Sequence, residues 1–417
     1  MLSGARLRAG GIPMSRISSR IRSRGCVLPC SITRLLAARI GVSLVVIWGL
    51  LASGSSSFGD SGWDTELVGE YTTNTAYGGI SVDSAIAYAA AGGQTYGQLD
   101  LIDVSNPSTP TLLLKWTGGT GFVSDVVTTS GMAFLAAGSG GLWVLNVSDP
   151  LSPTLIGSYD TAGDAQRLCV SGNQVCLADM SGGLQIIDVG NPVSPSLLGS
   201  YNTPGLAYDV CTSGSTAFLA DGDSGLLILD ISDPSSPTFV SGYPTTSTAR
   251  AVTVGGQVVC LATSNYLEVF DVFDPTSPTL MYRFEYGNAV DIDFSADVVL
   301  VANAMLGLVE LISVSETLTA FLGTYFASAQ VHSVTVDQND LVYAGTGQGL
   351  IILRYPAPPP APSGLCASKG EFPDKVRLTW NDSFSATEYQ VYRATSLLEP
   401  KAAVTGWIGA TSFDDTS

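Results

Sequence analysis

The chain of 417 residues contains a single histidine, and only 13% of its residues are charged. Basic residues are scarce, because 18 Lys and Arg stand against 36 Asp and Glu, which gives a formal net charge of -18. One imidazole excludes sites that need two, such as the zinc helices with a His-x-x-x-His spacing. The acidic balance also argues against nucleic acid or an anionic membrane surface as the main partner.

The N-terminus has the layout of an export signal. Residues 1–39 contain eight Arg and no acidic residue, and the apolar run Ile40 to Leu51 and several small residues follow. This run is shorter than the ~20 residues that a membrane-spanning helix needs. We therefore expect residues 1–57 to be a signal peptide and a short mature N-terminus, with no membrane span after cleavage. A retained signal anchor is the alternative.

A unit of 41 to 43 residues recurs along most of the chain. Such a period is the signature of a repeat architecture. The clear copies, among them LQIIDVGNPVSPSL and LLILDISDPSSPTF, begin at Leu99, Leu142, Leu184, Leu226 and Leu267. Two degenerate copies begin at Leu308 and Leu350, which makes seven.

Each unit predicts four short strands. Their residues are mostly β-branched, aromatic or Leu, and stretches such as AFLAA are continuously apolar, which indicates a sheet buried on both faces. Four-stranded sheets at this period predict a β-propeller. We expect an all-β fold, with a seven-bladed propeller over residues 58–355. The last unit lacks its fourth strand, and LVGEY at 67–71 matches the missing pattern, so this N-terminal strand is expected to close the ring.

The turn Asp/Asn-Pro-x-Ser/Thr-Pro recurs five times, between the third and fourth strands of the units. An Asx side chain can accept a hydrogen bond from the backbone two residues on, and the first Pro presets φ for a type I turn. These features together resemble the LVIVD-repeat β-propeller proteins of bacterial and archaeal surfaces. That resemblance implies a secreted or surface-exposed propeller that binds a ligand or adheres.

The composition changes after the propeller. A Pro-rich linker, residues 356–362, is followed by segments that resemble the first strands of a fibronectin type III domain, including DKVRLTWND and TEYQVYRAT. Such a β-sandwich needs about 90 to 100 residues. Residues 363–417 are too few, so we expect a partial, truncated domain.

Two short patterns, one of cysteines and one around a serine, each have two possible interpretations. Five cysteines follow the leader, and an odd number spread over different units is no disulfide framework. Cys169 and Cys176 are symmetric about a short turn, so they are either a cross-strand disulfide or buried small side chains. The string Gly222 to Gly225 (GDSG) resembles a serine protease segment, but it occupies an ordinary repeat turn and is interpreted as coincidence.

The starts of the innermost strands are the best candidates for a binding site, because they meet at the mouth of the central channel. The alternative is a solvated polar rim. The candidate binding residues are Asp125, Tyr208, Asp209, Arg250, Asp291 and His332. The same face is expected to carry Asp179, Asp221, Asp223 and Asn303.

We expect no cofactor. The weaker alternative is a Ca²⁺ ion bound by carboxylate oxygens, either those of Asp221 and Asp223 or those in the channel. The favoured function is an exported, monomeric and non-enzymatic module that binds or adheres to an extracellular protein or glycan. The alternative is a hydrolase or lyase that uses paired carboxylates, with or without Ca²⁺, on a carbohydrate or lactone. Two carboxyl groups close together in a deep pocket would favour the enzyme.

Overall fold

The computed structural model describes residues 65–91, 96–119, 121–295, 298–315 and 318–354, together with six short strands outside these ranges. Apart from one of those strands, the predicted leader lies outside the described residues, as does the Pro-rich linker. No helix in the described part of the chain is long and apolar enough to cross a membrane.

The repeats fold into seven four-stranded antiparallel sheets, the blades of a β-propeller. Blade 1 contains β3 (Tyr77–Asp83), β4 (Ile86–Ala91), β5 (Gly97–Asp103) and β6 (Thr111–Gly118). Blade 2 contains β7 (Asp125–Thr129), β8 (Met132–Ala136), β9 (Leu142–Asn146) and β10 (Thr154–Tyr159). Blade 3 contains β11 (Arg167–Ser171), β12 (Gln174–Ala178), β13 (Leu184–Asp188) and β14 (Ser196–Tyr201).

The remaining blades follow the same order from the inner to the outer strand. Blade 4 contains β15 (Asp209–Ser213), β16 (Thr216–Ala220), β17 (Leu226–Asp230) and β18 (Thr238–Tyr243). Blade 5 contains β19 (Ala249–Gly255), β20 (Val258–Thr263), β21 (Tyr266–Asp271) and β22 (Thr279–Glu285). Blade 6 contains β23 (Ala289–Ser295), β24 (Val298–Asn303), β25 (Leu308–Ser315) and β26 (Leu318–Phe326). Blade 7 contains β27 (Val331–Val336), β28 (Leu341–Thr346), β29 (Gly349–Arg354) and β2 (Glu66–Thr72).

The first strands of the blades form a closed ring. Each contacts the first strand of the next blade, and β27 of blade 7 contacts β3 of blade 1. The turns between second and third strands lie on the same face as the starts of the first strands, because short β-bridges such as Met180 with Ala207 join them. We call this face the mouth. The first-to-second and third-to-fourth turns lie on the opposite face.

The apolar cores lie between neighbouring blades. Leu99 and Leu101 of blade 1 pack with Leu135 and Trp143 of blade 2, and the same arrangement recurs around much of the ring. Each third strand is buried along most of its length, on both faces of its sheet. The continuously apolar stretches therefore did predict sheets buried on both faces.

The N-terminal closure is confirmed. β2 pairs antiparallel with β29, with Leu67 opposite Leu353 and Tyr71 opposite Leu350. Tyr71 and Val68 pack into the core shared by blades 7 and 1. The propeller thus takes strands of one sheet from both ends of its sequence.

The outer strands share a glycine that explains the pattern Leu-x-Gly-x-Tyr. A β-bulge lies next to this glycine, where the backbone of the following blade's Pro turn comes so close that a Cβ would collide with a carbonyl oxygen. These contacts join Gly69 to Pro107, Gly157 to Pro192 and Gly199 to Pro234. The first pair links blade 7 to blade 1 and so repeats at the closure the contact made between other blades.

The Asx-Pro turns form as predicted on the face opposite the mouth. The Asp233 carboxylate accepts hydrogen bonds from the backbone N–H of Ser235 at 3.0 Å and from its hydroxyl at 2.6 Å. These hydrogen bonds hold the pKa of Asp233 below its usual value. The last Asp of the strand motif has a similar role, because Asp230 accepts from the N–H of Ser232 at 2.8 Å. Many of the acidic residues therefore stabilise turns.

The strands outside the propeller form two three-stranded sheets. One has the order β1 (Gly4–Ala9), β32 (Tyr389–Ala394), β33 (Ala402–Ala403), and the other has the order β30 (Cys366–Ala367), β31 (Val376–Thr379), β34 (Ser412–Asp415). β31 and β32 fall within two segments assigned to the fibronectin type III resemblance. Most of that region lies outside the described residues, so the sandwich stays a prediction.

Deletion of residues 66–72 should lower the thermal midpoint by more than about 10 °C, because it exposes the core between blades 7 and 1 and removes one strand. For a domain of this size, one kcal/mol corresponds to a shift of ~2–4 °C. Differential scanning calorimetry measures the effect, with Glu66→Gln, an exposed change in the same strand, as the control. An unchanged midpoint in the deletion would contradict closure by β2.

Candidate functional site

One residue near the start of each first strand lies at an equivalent place, which we call the clasp position. The seven residues are Gly79, Asp125, Arg167, Asp209, Ala251, Asp291 and Ser333. Three predicted site residues are thus acids that occupy this position in alternate blades, namely 2, 4 and 6. All three are buried, with 6–8% of each residue exposed.

Each clasp carboxylate is hydrogen-bonded to the next blade. Asp125 accepts from the backbone N–H of Leu168 at 3.1 Å, and Asp209 accepts from that of Val252 at 2.8 Å. Asp291 accepts in the same way from Val334, at 2.8 Å. Because buried acceptors must be paired, these bonds stabilise the junctions of blades 2–3, 4–5 and 6–7.

The other clasp positions are adapted to their neighbours. The Ser333 hydroxyl donates a hydrogen bond of 3.3 Å to the carbonyl oxygen of Tyr77. This bond joins blade 7 to blade 1. At Gly79 a Cβ would lie 2.5 Å from a carboxylate oxygen of Asp125, so the side chain of this Asp needs a glycine in the blade before it.

Arg167 spans the channel from blade 3. Its Nη1 lies 3.0 Å from Oδ1 of Asp291 in blade 6, and 3.9 Å from Oδ1 of Asp125 in blade 2. Blades 3 and 6 are three places apart in a ring of seven, so this side chain crosses the centre. The two carboxylate oxygens lie within about 7 Å of each other, since both approach the same nitrogen.

The charges of this cluster are strongly coupled. Burial raises the pKa of Asp209 to about 6 and that of Asp291 to about 7, while the Arg167 guanidinium opposes part of each rise. Burial also raises the pKa of Asp125 above its usual value. The three carboxylates, Asp291 foremost, outweigh the burial of Arg167 and raise its pKa, so Arg167 stays protonated.

The other three predicted residues lie nearer the solvent. Arg250 is exposed, whereas Tyr208 and His332 are half-buried. Burial lowers the pKa of His332 below its usual value, so the imidazole is neutral at pH 7. The structure therefore divides the predicted site into a buried cluster of acids and a more accessible rim above it.

Exposed apolar side chains accompany these rim residues, and the sequence pattern did not predict them. Leu206 is 41% exposed and precedes Tyr208 in blade 4, while Met305 and Leu306 are 72% and 56% exposed in the mouth turn of blade 6. We call Leu206, Tyr208, Arg250, Met305, Leu306 and His332 the mouth arc. The arc covers the mouth side of blades 4 to 7, and it offers aromatic, cationic and apolar side chains together.

The four other polar residues expected on the mouth face brace its loops. Asp179 accepts from the Thr161 hydroxyl at 2.7 Å and from the N–H of Gly163 at 2.9 Å. Asp221 accepts from the N–H of Gly205 at 2.8 Å. The exposed Asp223 accepts from the Thr248 hydroxyl at 2.7 Å. Asn303 likewise accepts from the N–H of Leu306 in its own turn, at 3.1 Å.

Neither the calcium hypothesis nor the serine-protease likeness gains support from the geometry. Within the described ranges, no group of three or more His, Cys, Asp or Glu side chains is arranged to hold a metal ion. The residues Asp221 to Gly225 form a hydrogen-bonded turn in blade 4, while the single histidine lies in blade 7. Ser224 therefore has no imidazole beside it.

The comparisons with known proteins agree with the repeat pattern. The LVIVD repeat model matches residues 81–117, 120–161, 162–203, 204–245 and 247–285. These segments are LVIVD repeats. Each segment contains the four strands of one blade, apart from the first residues of β3 and the last of β6, and together they coincide with blades 1 to 5. The propeller continues through blades 6 and 7, which the matched segments do not include.

Structure comparison supports the fold alone. The computationally designed Ika8 protein, known from a crystal structure, matches with a TM-score of 0.53 at 13% sequence identity. The match covers 70% of this chain and 100% of the designed one. No curated protein shows a significant sequence match to the chain.

Arg167→Leu should destabilise the propeller by about 3 kcal/mol at pH 7.5, because it leaves buried carboxylates without their cation. Urea unfolding followed by circular dichroism measures this change. Arg250→Leu removes the same charge from the exposed rim and should cost less than about 0.5 kcal/mol. Equal losses in the two variants would show that the ion pairs across the channel contribute no stability.

Stability should fall as the pH rises from about 5 to 8. The folded-state pKa values of Asp209 and Asp291 lie above the unfolded value near 4, so the native state binds more protons in this range. The stabilisation is complete below pH 4 and is lost as the pH passes about 7. We expect the thermal midpoint to drop by roughly 10 °C, since Asp209 loses about one pKa unit of stabilisation and Asp291 about two, and one unit corresponds to ~1.4 kcal/mol.

The double variant Asp209→Asn, Asp291→Asn should flatten this pH dependence, because Asn keeps an acceptor oxygen but does not titrate. Asp233→Asn is the control, since the pKa of Asp233 is already below its usual value. Identical pH profiles for the wild type and the double variant would contradict the assigned cause.

Proposed function

We propose that this LVIVD propeller is an exported, non-enzymatic binding module whose mouth arc docks a protein partner. The observation that carries the proposal is the division of the mouth into buried, hydrogen-bonded acids and an accessible rim. The basic and apolar leader supports export to the cell exterior or surface.

The mouth arc has the composition of a protein interface. Tyr, Arg and Met are enriched at such interfaces, and Tyr and Arg are frequent among the residues that dominate binding energy. The arc contains Tyr208 in blade 4 and Arg250 in blade 5. Met305 and Leu306, in the mouth turn of the next blade, are mostly exposed. Apolar side chains exposed together on a folded domain typically mark a contact surface.

A protein partner fits this surface better than a glycan does. Sugar sites usually rely on free carboxylates and amides, whereas each clasp carboxylate here accepts a backbone N–H from the next blade. The net charge of the propeller also favours a partner with a basic surface, because between residues 58 and 355 the chain has 5 basic and 29 acidic residues.

The alternative function as a glycan or lactone hydrolase draws on one observation. Asp125 and Asp291 present carboxylate oxygens within about 7 Å of each other, a spacing found in glycosidases, and the pKa of Asp291 is raised to about 7. Against it, the Arg167 guanidinium lies between the two groups, where a sugar would have to sit.

A partner array tests the proposal. Extracellular proteins and glycans are screened with the wild type and with the triple variant Tyr208→Ala, Arg250→Ala, His332→Ala. We expect the variant to lose at least 10-fold in affinity for a protein partner, because truncated hot-spot residues typically cost more than 1 kcal/mol each. Surface plasmon resonance measures the change.

The matched control lies on the opposite face. Leu151→Ala, Val193→Ala and Phe273→Ala truncate three exposed apolar residues there, at 66%, 59% and 74% exposure. This control should bind as the wild type does, and both variants should keep the wild-type melting curve. Equal loss in both variants, or none in either, would remove the mouth arc as the binding surface. Glycan turnover that disappears in Asp291→Asn would favour the enzyme instead.

A further inference from the structure

In each blade, the first-strand residue two positions after the clasp position lies directly opposite a residue of the second strand. In most blades this pair joins a smaller residue of the first strand to a larger residue of the second. These pairs are Ser81 with Tyr88, Val127 with Phe134, Cys211 with Phe218, Asp293 with Leu300, and Thr335 with Tyr343. Blade 5 pairs Thr253 with Cys260.

Blade 3 is different, because it places two thiols opposite each other. Cys169 of β11 and Cys176 of β12 are direct cross-strand partners. The register is fixed by a two-residue turn between Ser171 and Gln174, with Gly172 at a φ of 59°. Directly opposed residues point to the same face of a sheet, and their Cα atoms lie about 4.5–5.5 Å apart, within the range that a disulfide spans.

We propose that Cys169 and Cys176 form a cross-strand disulfide when the protein meets an oxidant, and that Cys211 and Cys260 remain thiols. The structure holds all four as thiols. The inference goes beyond the proposed binding function and does not depend on it, since it concerns the hairpin of blade 3 and not the mouth arc.

The reaction is a thiol–disulfide exchange with a small disulfide such as oxidised glutathione. The thiolate of one cysteine attacks a sulfur of the oxidant and releases one glutathione thiolate, which leaves a mixed disulfide. The second protein thiol, after losing its proton, attacks the protein sulfur of that mixed disulfide and releases the second glutathione. The protein loses two protons and two electrons, and the oxidant gains them and becomes two thiols.

Contacts around the pair favour this reaction. The contact between the two thiols lowers the pKa of Cys176 below its usual value, although burial opposes the effect, and it raises the pKa of Cys169. Cys169 is partly exposed, so it offers the oxidant a point of entry.

The two other propeller cysteines lack a directly opposed thiol. Burial raises the pKa of Cys260 above its usual value. Burial is also the largest cause of the raised pKa of Cys211. The competing partner for Cys169 is Cys211, since Thr212 of the neighbouring blade 4 strand lies 3.8 Å from the Cys169 sulfur. The experiment therefore has to identify which cysteines are joined.

The test is differential alkylation of the full chain. The protein is equilibrated with oxidised glutathione or with a reductant, denatured, alkylated without reduction and digested with trypsin. Cys169, Cys176 and Cys211 all fall in the single tryptic peptide from Leu168 to Arg250. We expect oxidation to protect two of its three thiols, and fragment-ion mass spectrometry to leave only Cys211 alkylated.

Two variants make the outcome decisive. Cys211→Ser should still lose both alkylation sites on oxidation, whereas Cys169→Ser should keep Cys176 and Cys211 alkylated. Circular dichroism of each reduced variant reveals a folding defect, which alkylation of the denatured protein does not report. Three alkylated thiols in the oxidised wild type, or a bond from Cys169 to Cys211, would overturn the proposal.

Discussion

The structure depends on the need to cover two apolar faces on every blade. A blade such as blade 2 packs against blade 1 through Leu135 and Trp143 and against blade 3 through its other face. No blade can be terminal without leaving one of these faces in water, so the row of sheets has to close on itself. The pairing of β2 with β29 makes that closure. It also makes the first and last parts of the propeller sequence interdependent.

Closing the ring creates a second constraint at its centre, where the first strands crowd together. Their polar groups are removed from water and must be paired within the protein. The clasp carboxylates meet this requirement by accepting backbone N–H groups from the next blade, and Arg167 offsets part of their charge across the channel. Acids that a sequence would assign to ligand binding are thus committed to joining blades. In the function that we propose, interaction with a partner falls to side chains outside the cluster, on the mouth arc.

Much of the fold follows from local patterns. The period, the apolar strands and the Asx-Pro turns predicted seven four-stranded units, and the fragment LVGEY predicted the closing strand, since its glycine and tyrosine recur in other outer strands. The buried role of Asp125, Asp209 and Asp291 could not be predicted in the same way. The sequence of a strand start is the same whether its acid faces solvent or the backbone of a neighbouring blade. Alignment of the repeats did contain one signal, as Arg167 is the single basic residue among seven aligned positions that include three acids.

The sequence by itself determined the number of blades, their strand order and the residues of each turn, because these depend on contacts within one repeat or between adjacent repeats. Only the tertiary structure decided which residues meet across the ring. Arg167 and Asp291 are 124 positions apart in the sequence, and nothing local brings them together. The closed ring does so, since its small circumference places opposite blades within reach of one extended side chain. The exposure of Leu206, Met305 and Leu306 also depends on the ring, because it sets which turns share a face.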